Sequence, residues 1–369
     1  MRALSAPVRL FRLFTHTVNA RIITHLGIAA HGVSQMLRAI RLFSLLLLGT
    51  GTVLYSPQAA AQALNPTGLE EWDSTNQVLF FVNGHPGSPI RAYTDYNQRG
   101  SDIDVLKDFP GAQAAYVDSV TAGPDGSTLI AVTLDFGNRN IRDLILTYDS
   151  SAQLLKTWDP APQYIEAIVY SKDDDAVFVL GGLDLPPGPY APNYPLLIEY
   201  SRDGRALKAM APASLLRDRE YSFNLRSQNG QPLLRVTKER IYFYAPTNHE
   251  VVMCDRDGIV LAYRSFSESI ERISTEDGYH LVQTHQTDFA ENGDLVSELL
   301  LWNDENNTSM AEVIRLSMST GEAVSVHKNS NSRLRFVGMK DDQYLYLAGS
   351  KNLYIQSSAA QERVPLDTK

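Results

Sequence analysis

The chain has 369 residues, a formal net charge of −9 and a single cysteine. All 42 acidic residues follow residue 61, whereas the segment before that point contains Arg but no Asp, Glu or Lys. An acidic chain without clustered Lys or Arg argues against nucleic acid as a partner, and one cysteine excludes an intramolecular disulfide.

Residues 36–63 have the three parts of a secretory signal peptide: the basic start MLRAIR, the apolar run LFSLLLLGTGTVLY, and SPQAAAQA with its small residues. The apolar run is shorter than the roughly 20 residues that a membrane-spanning helix needs. We therefore predict cleavage after Ala61 or Ala63, export to the periplasm or the medium, and no stable membrane span afterwards. An uncleaved signal anchor is the alternative.

Residues 1–35 precede this complete signal peptide, which has its own Met36. We interpret them as an upstream extension that is disordered or not translated. Because the stretch is rich in Arg and lacks acidic residues, an organelle transit peptide is the alternative. The folded domain is then predicted to span 64–369.

One pattern recurs six times in 64–369. An apolar alternating run leads into a polar turn, and a second apolar run leads out, which is typical of a β-hairpin. The six predicted hairpins lie around Tyr96, over 143–158, and around Tyr200, Cys254, Leu316 and Ile355.

A polar turn and a short, strongly β-prone run precede each hairpin. The period is about 50 residues, and a period of that size with about four strands per unit indicates a β-propeller. The sequence therefore predicts an all-β fold, a single six-bladed β-propeller after a cleavable signal peptide. The apolar run LVSELLLW at 295–302 fits either a third strand of the fifth blade or an insertion. Matching positions in the six runs are Phe80, Ile130, Phe178, Phe243, Leu281 and Leu345.

The repeats resemble the six-bladed β-propellers of the NHL-like and TolB-like superfamily. The resemblance depends on IYFYAPTNHEVVMCDRDGIVLAY at 241–263 and on the copy QYLYLAGSKNLYIQSS at 343–358. It implies the architecture but no single activity, because the superfamily includes scaffolds, lactonases, lyases and esterases. Since the first and last repeats look incomplete, we expect strands from both chain ends to share one sheet and close the ring.

Signals of catalysis are weak. The sequence contains no HExxH, GxSxG, P-loop or CxxC motif. Cys254 lies in an apolar run and is predicted to be a buried structural thiol. His280 and His285 are five residues apart, so a regular strand would place them on opposite faces, which disfavours a metal pair. The segment Asp255–Gly258 is predicted to be a hairpin turn rather than a calcium loop.

The innermost strand of each blade should line the central channel. The resemblance to propeller lactonases implies that such a lining can hold a divalent metal that activates water. Here the predicted lining has both signs of charge, which favours ion pairs, with Arg272 and Arg335 as candidate partners of Glu166. The channel candidates, counted back from the polar turns, are Glu70, Asp118, Glu166, Arg235, Glu271, Arg272 and Arg335.

These observations predict an exported binding or scaffold module whose protein or small-molecule ligand is not identified. No catalytic residue, metal ligand or cofactor is predicted. The alternative is a metal-dependent hydrolase or lactonase-like enzyme that would hold Ca²⁺ or Zn²⁺ in the channel.

Overall fold

A computed structural model describes most of the predicted domain. The signal peptide and the upstream extension lie outside the described residues and stay predictions. The described ranges are 69–82, 89–94, 97–160, 163–183, 194–216, 230–275, 278–329, 334–348, 352–357 and 363–365.

The described chain forms six four-stranded antiparallel sheets, numbered here in chain order. In each sheet the four strands pair in sequence order, as a meander. Sheets 1 to 3 consist of β1 (Leu69–Asp73), β2 (Val78–Val82), β3 (Ile90–Thr94) and β4 (Asn97–Ile103); β5 (Ala114–Ala122), β6 (Thr128–Asp135), β7 (Ile141–Tyr148) and β8 (Leu154–Trp158); and β9 (Gln163–Ser171), β10 (Ala176–Leu183), β11 (Pro195–Ser201) and β12 (Ala206–Pro212).

Sheets 4 to 6 repeat this arrangement, and two short helices lie between sheets: α1 (Val105–Asp108) and α2 (Ser267–Ser274). The strands of sheets 4 to 6 are β13 (Leu233–Val236), β14 (Arg240–Ala245), β15 (Glu250–Asp255) and β16 (Val260–Ser265); β17 (His280–Phe289), β18 (Leu295–Asn303), β19 (Thr308–Leu316) and β20 (Ala323–Asn329); and β21 (Leu334–Lys340), β22 (Gln343–Ala348), β23 (Asn352–Ser357) and β24 (Arg363–Pro365).

The sheets are arranged as a β-propeller, so the predicted all-β class and propeller architecture are confirmed. The first strand of each sheet contacts the first strand of the next sheet, and β21 contacts β1. The first strands are therefore the innermost ones, as the sequence predicts. The six predicted hairpins are the third and fourth strands of the six sheets.

Six apolar clusters hold the sheets together, and each fills the space between two neighbouring sheets. The second strand of each sheet contributes deeply buried side chains to these clusters, and Phe80, Ile130 and Phe243 are fully buried. Full burial of such a side chain contributes about 1.5–3 kcal/mol. Packing between sheets, rather than any cross-link, therefore stabilises the ring.

The sequence assignment of the fifth unit is wrong. Leu281 lies on the first strand, β17, and the second strand is β18, which contains the apolar run that sequence reasoning could not place. The position that matches Phe243 is Ser297, a buried residue whose Oγ lies 3.2 Å from Thr287 Oγ1. The error arose because α2 and the long strand β17 come between sheet 4 and this run.

The hairpin turns follow a shared design, and the predicted turn at 255–258 is confirmed. Asp255 Oδ1 accepts the backbone N–H groups of Asp257 and Ile259 at 2.9 and 2.8 Å. Gly258 has φ +80°, and a Cβ there would lie 2.5 Å from Met210 Cγ in sheet 3. The turn thus needs glycine both for its backbone conformation and for its close approach to the neighbouring sheet.

The predicted mode of ring closure is wrong, because each chain end completes a sheet of its own. The first inner strand, β1, has the acidic sequence LEEWD, which lacks the apolar alternation used to find strands.

Sheets 6 and 1 are instead joined by side chains: Trp72 Nε1 donates to the backbone oxygen of Met339 at 2.9 Å. Gly338 permits this contact, since a Cβ there would lie 2.3 Å from Trp72 Cδ1.

Candidate functional site: the central cavity

The inner strands of sheets 1 to 5 line a small polar cavity of about 50 Å³. By volume it holds a few water molecules, at roughly 10–15 Å³ each. Of the described residues that line it, none is Lys or Arg. Its polar lining consists of Glu71, Asp73, Ser74, Asp118, Ser119, Glu166, Gln231, His285, Gln286 and Thr287.

The turn between β1 and β2 crosses one end of this cavity. Asn76 Nδ2 donates to the backbone oxygen of Tyr170 in sheet 3 at 3.0 Å. Thr75 Oγ1 accepts the backbone N–H of Val236 in sheet 4 at 3.1 Å. We call this the lower end of the propeller, and the end at which the inner strands begin the upper end. The turn therefore ties sheet 1 to sheets 3 and 4 at the lower end.

The carboxylates of β1 act as hydrogen-bond acceptors between sheets. Glu71 Oε1 accepts Val120 N–H and Ser119 Oγ–H, both at 2.9 Å. Asp73 Oδ2 accepts Ala122 N–H at 2.9 Å and a hydroxyl hydrogen bond from Thr121 at 2.7 Å. These N–H groups are on the edge of sheet 2 that has no further strand, and leaving one buried without a partner costs about 1–3 kcal/mol.

Side chains of other sheets accept N–H groups from a neighbouring inner strand in the same way. Ser119 Oγ accepts Ile168 N–H at 3.1 Å between sheets 2 and 3. Asp288 Oδ2 accepts Met339 N–H at 2.6 Å between sheets 5 and 6. Part of the polar lining therefore has a structural role, which is to satisfy the inner edge of the neighbouring sheet.

Three ionisable side chains reach the cavity from β-bulges. Asp118 on β5, Glu166 on β9 and His285 on β17 are each the extra residue at a break in the strand register, and all three line the cavity. Bulges re-aim side chains and are common next to binding sites. Asp118 Oδ2 is fixed by Thr133 Oγ1 at 2.7 Å.

Five of the seven predicted channel residues lie on inner strands, but only two line the cavity. These two are Asp118 and Glu166, and both are buried. Glu70 lies on β1 and Arg335 on β21. Arg235 on β13 is half-buried, and its Nη1 donates to the backbone oxygen of Phe289 in sheet 5 instead.

The prediction for Glu271 and Arg272 is wrong. Both are exposed on helix α2, which precedes the inner strand β17. Arg272 is therefore not a channel partner of Glu166, and the expected basic half of the lining is absent from the described residues of the cavity wall. The helix buries Ile270 and Ile273, a one-turn pair that marks its inner face.

Sequence reasoning missed Glu71, Asp73 and His285. The first two lie in LEEWD, where three acidic residues flank a tryptophan, and this unusual strand composition is a usable signal. His285 could not be found by alternation, because β17 contains two register shifts. It does not meet His280, which is exposed and lies 3.5 Å from Asp304 Oδ2.

Burial shifts the pKa of three side chains that lie away from the cavity. Cys254 is buried, as predicted, and burial raises the pKa of its thiol to about 11. Burial lowers the pKa of His249 to about 4, and its Nδ1 lies 2.7 Å from Tyr244 Oη. Burial raises the pKa of Asp288 to about 6, against the opposing attraction of Arg235. Among the described residues, no group of three or more His, Cys, Asp or Glu could hold a metal ion.

Comparisons with known proteins show no family for this chain. No protein-family model matches it, and no curated protein matches it. Among solved structures, a member of the duf4221 family from Bacteroides vulgatus has 12% identity and a TM-score of 0.44, with 79% of this chain and 86% of that chain covered. The Cps50 (Swd1) β-propeller domain of Myceliophteria thermophila has 10% identity and a TM-score of 0.38, with 81% and 85% covered.

The Dos1 propeller is a third similar structure, with 10% identity, a TM-score of 0.38, and 80% of this chain and 68% of that chain covered. Similarity at this level does not indicate a shared function. Within the described residues, no helix combines the length and the apolar character that crossing a membrane requires.

Proposed function

We propose that this chain is an exported six-bladed β-propeller, of the NHL-like or TolB-like kind, that acts as a binding or scaffold module. The six sheets and the six apolar clusters between them support a ring of six blades. The signal-peptide pattern at 36–63 supports export to the periplasm or the medium.

The binding function is supported by a difference in the length of the strand connections at the two ends of the propeller. Among the described connections, none at the lower end is longer than the turn 317–322. Those at the upper end include 104–113, which contains helix α1, and 266–275, which contains helix α2. Binding residues concentrate on long connections held by a rigid scaffold, which favours the upper end as the binding face.

The competing function is a metal-dependent hydrolase or lactonase with its site in the cavity. The carboxylates of Glu71 and Asp73 already accept hydrogen bonds from sheet 2, which supports a structural use of these groups. The binding module is therefore the function that the geometry favours.

A photo-reactive amino acid placed at exposed positions in the exporting host tests this proposal. Glu305 and Glu268 are exposed at the upper end, and Thr320 and Asp173 are matched exposed positions at the lower end. We expect discrete adducts, with a macromolecule or a small molecule, from the upper positions only, and competition by added unlabelled protein. Equal adducts from both ends, or none from the upper end, would contradict a binding role of this face.

A further inference from the structure

An imidazole and a buried carboxylate form a fixed pair beside the cavity. His285 Nδ1 lies 3.0 Å from Glu298 Oε2. The other oxygen, Glu298 Oε1, accepts the backbone N–H of Phe336 in sheet 6 at 3.1 Å. Glu298 is only 4% exposed, and both of its oxygens are bonded, so the carboxylate holds one position. A carboxylate accepts here, so Nδ1 carries a hydrogen, and in the neutral form of the ring Nε2 is an acceptor.

The second nitrogen of this imidazole has no partner among the described residues. His285 is 34% exposed, and it is part of the cavity wall. It reaches the cavity because it is the bulged residue of β17, where the register shifts between Thr284 and Gln286. The bulge and the buried carboxylate thus fix this imidazole in the cavity wall.

We propose that His285 Nε2 accepts a hydrogen bond from a ligand in the central cavity. The ligand would place a compact hydrogen-bond donor there, such as the end of an amine or an alcohol. This proposal rests on the proposed binding function. The volume of about 50 Å³ admits only a small end group. The wall also offers amide oxygens from Gln231 and Gln286, while its described residues include no Lys or Arg. An anionic group would find no charged Lys or Arg donor among these described residues.

Glu298 is a positioning residue in this proposal. It does not reach the ligand but fixes the tautomer of His285. Replacement by glutamine keeps the size and offers an amide that can face Nδ1 with either its oxygen or its nitrogen, so the tautomer would no longer be fixed.

Nuclear magnetic resonance of the mature protein labelled with ¹⁵N-histidine tests the proposal, with ethylamine, ethanol and acetate as the probes. We expect ethylamine or ethanol to shift the Nε2 signal of His285 saturably and acetate to leave it unchanged. H285Q should weaken binding of the donor probe at least tenfold. H280Q, at an exposed histidine of the same strand, should not. E298Q should mix the two tautomers, seen as averaged Nδ1 and Nε2 shifts, and weaken the same probe.

The assignment would be overturned if acetate shifted the Nε2 signal as strongly as the donor probes do. It would also be overturned if neither donor shifted that signal, or if H285Q bound the donor probe as tightly as wild type. Folding of each variant is checked by the methyl spectrum, so loss of structure is not mistaken for loss of the contact. Adducts at the upper end without any response of His285 would refute this contact while leaving the binding module intact. Absence of both would remove the binding function as well.

Discussion

Asp288 should make the stability of the propeller fall as pH rises from mildly acidic to neutral. The residue is 1% exposed, and its carboxylate accepts Phe289 N–H at 2.7 Å and Met339 N–H at 2.6 Å. Burial raises its pKa from 3.8 to about 6. Because the folded pKa is the higher one, the folded state binds the proton more tightly, and the resulting stability is present below the unfolded pKa and lost as pH rises through 6.

The size of this effect follows from the two pKa values. A difference of this size corresponds to about 3 kcal/mol in full, at about 1.4 kcal/mol per pKa unit. Between pH 5 and pH 7 the contribution of Asp288 should change by about 1.4 kcal/mol. The hydrogen bonds that Asp149 accepts from Gln153 and Ser151 lower its pKa and act in the opposite direction, so the pH dependence of wild-type stability does not report on Asp288 alone.

The variant D288N isolates the pH-dependent contribution of Asp288 to stability, because asparagine does not titrate. It also loses one acceptor, so it should be less stable than wild type in mild acid, where leaving an N–H unpaired costs about 1–3 kcal/mol. Urea unfolding of both proteins at pH 5 and pH 7 should give a stability difference that is smaller at pH 7 by about 1.4 kcal/mol. D173N, at an exposed lower turn, is the control. A difference between wild type and D288N that is the same at both pH values would refute the reasoning.

Three further outcomes are expected. W72F removes the Trp72 donor to Met339 and should lower unfolding free energy by about 1–3 kcal/mol in urea titrations; an unchanged midpoint would mean that sheets 6 and 1 close without it. G258A should destabilise more than G321A in thermal unfolding, since both glycines have positive φ but only the first meets a neighbouring side chain within 3 Å; equal losses would assign the whole effect, about 1–2 kcal/mol, to the backbone. Amino-terminal sequencing of the exported product should begin within 62–64, and retention of the upstream residues would contradict cleavage.

The outer half of each sheet could be predicted from the sequence because two local signals coincide there. Third and fourth strands alternate apolar and polar residues, and residues such as Asp149 and Asp255 fix the turn between them by accepting N–H groups two and four residues ahead. Neither signal depends on contacts distant in sequence. The hairpins were therefore found in order even though their spacing varies.

Inner strands were harder to predict, because their composition depends on contacts with a neighbouring sheet. LEEWD is acidic since Glu71 and Asp73 accept N–H groups from β5, a requirement that arises only when the ring is assembled. Counting back from a turn located Asp118 and Glu166, because β5 and β9 lead directly into the turns used for the count. The same count failed in sheet 5, where the segment at Glu271 is a helix with its inner strand still to come.

The candidate site depends on bulges, and a bulge leaves no mark in composition. One extra residue in β17 reverses which side chains face the cavity after it, so alternation from His280 gives the wrong face for His285. The partner of His285 is equally hidden, because Glu298 lies in an apolar run whose neighbours are core residues of β18. A glutamate in such a run is a signal in itself, since an ionisable side chain is almost never fully buried without a partner. Here that partner is the imidazole that we propose contacts the ligand.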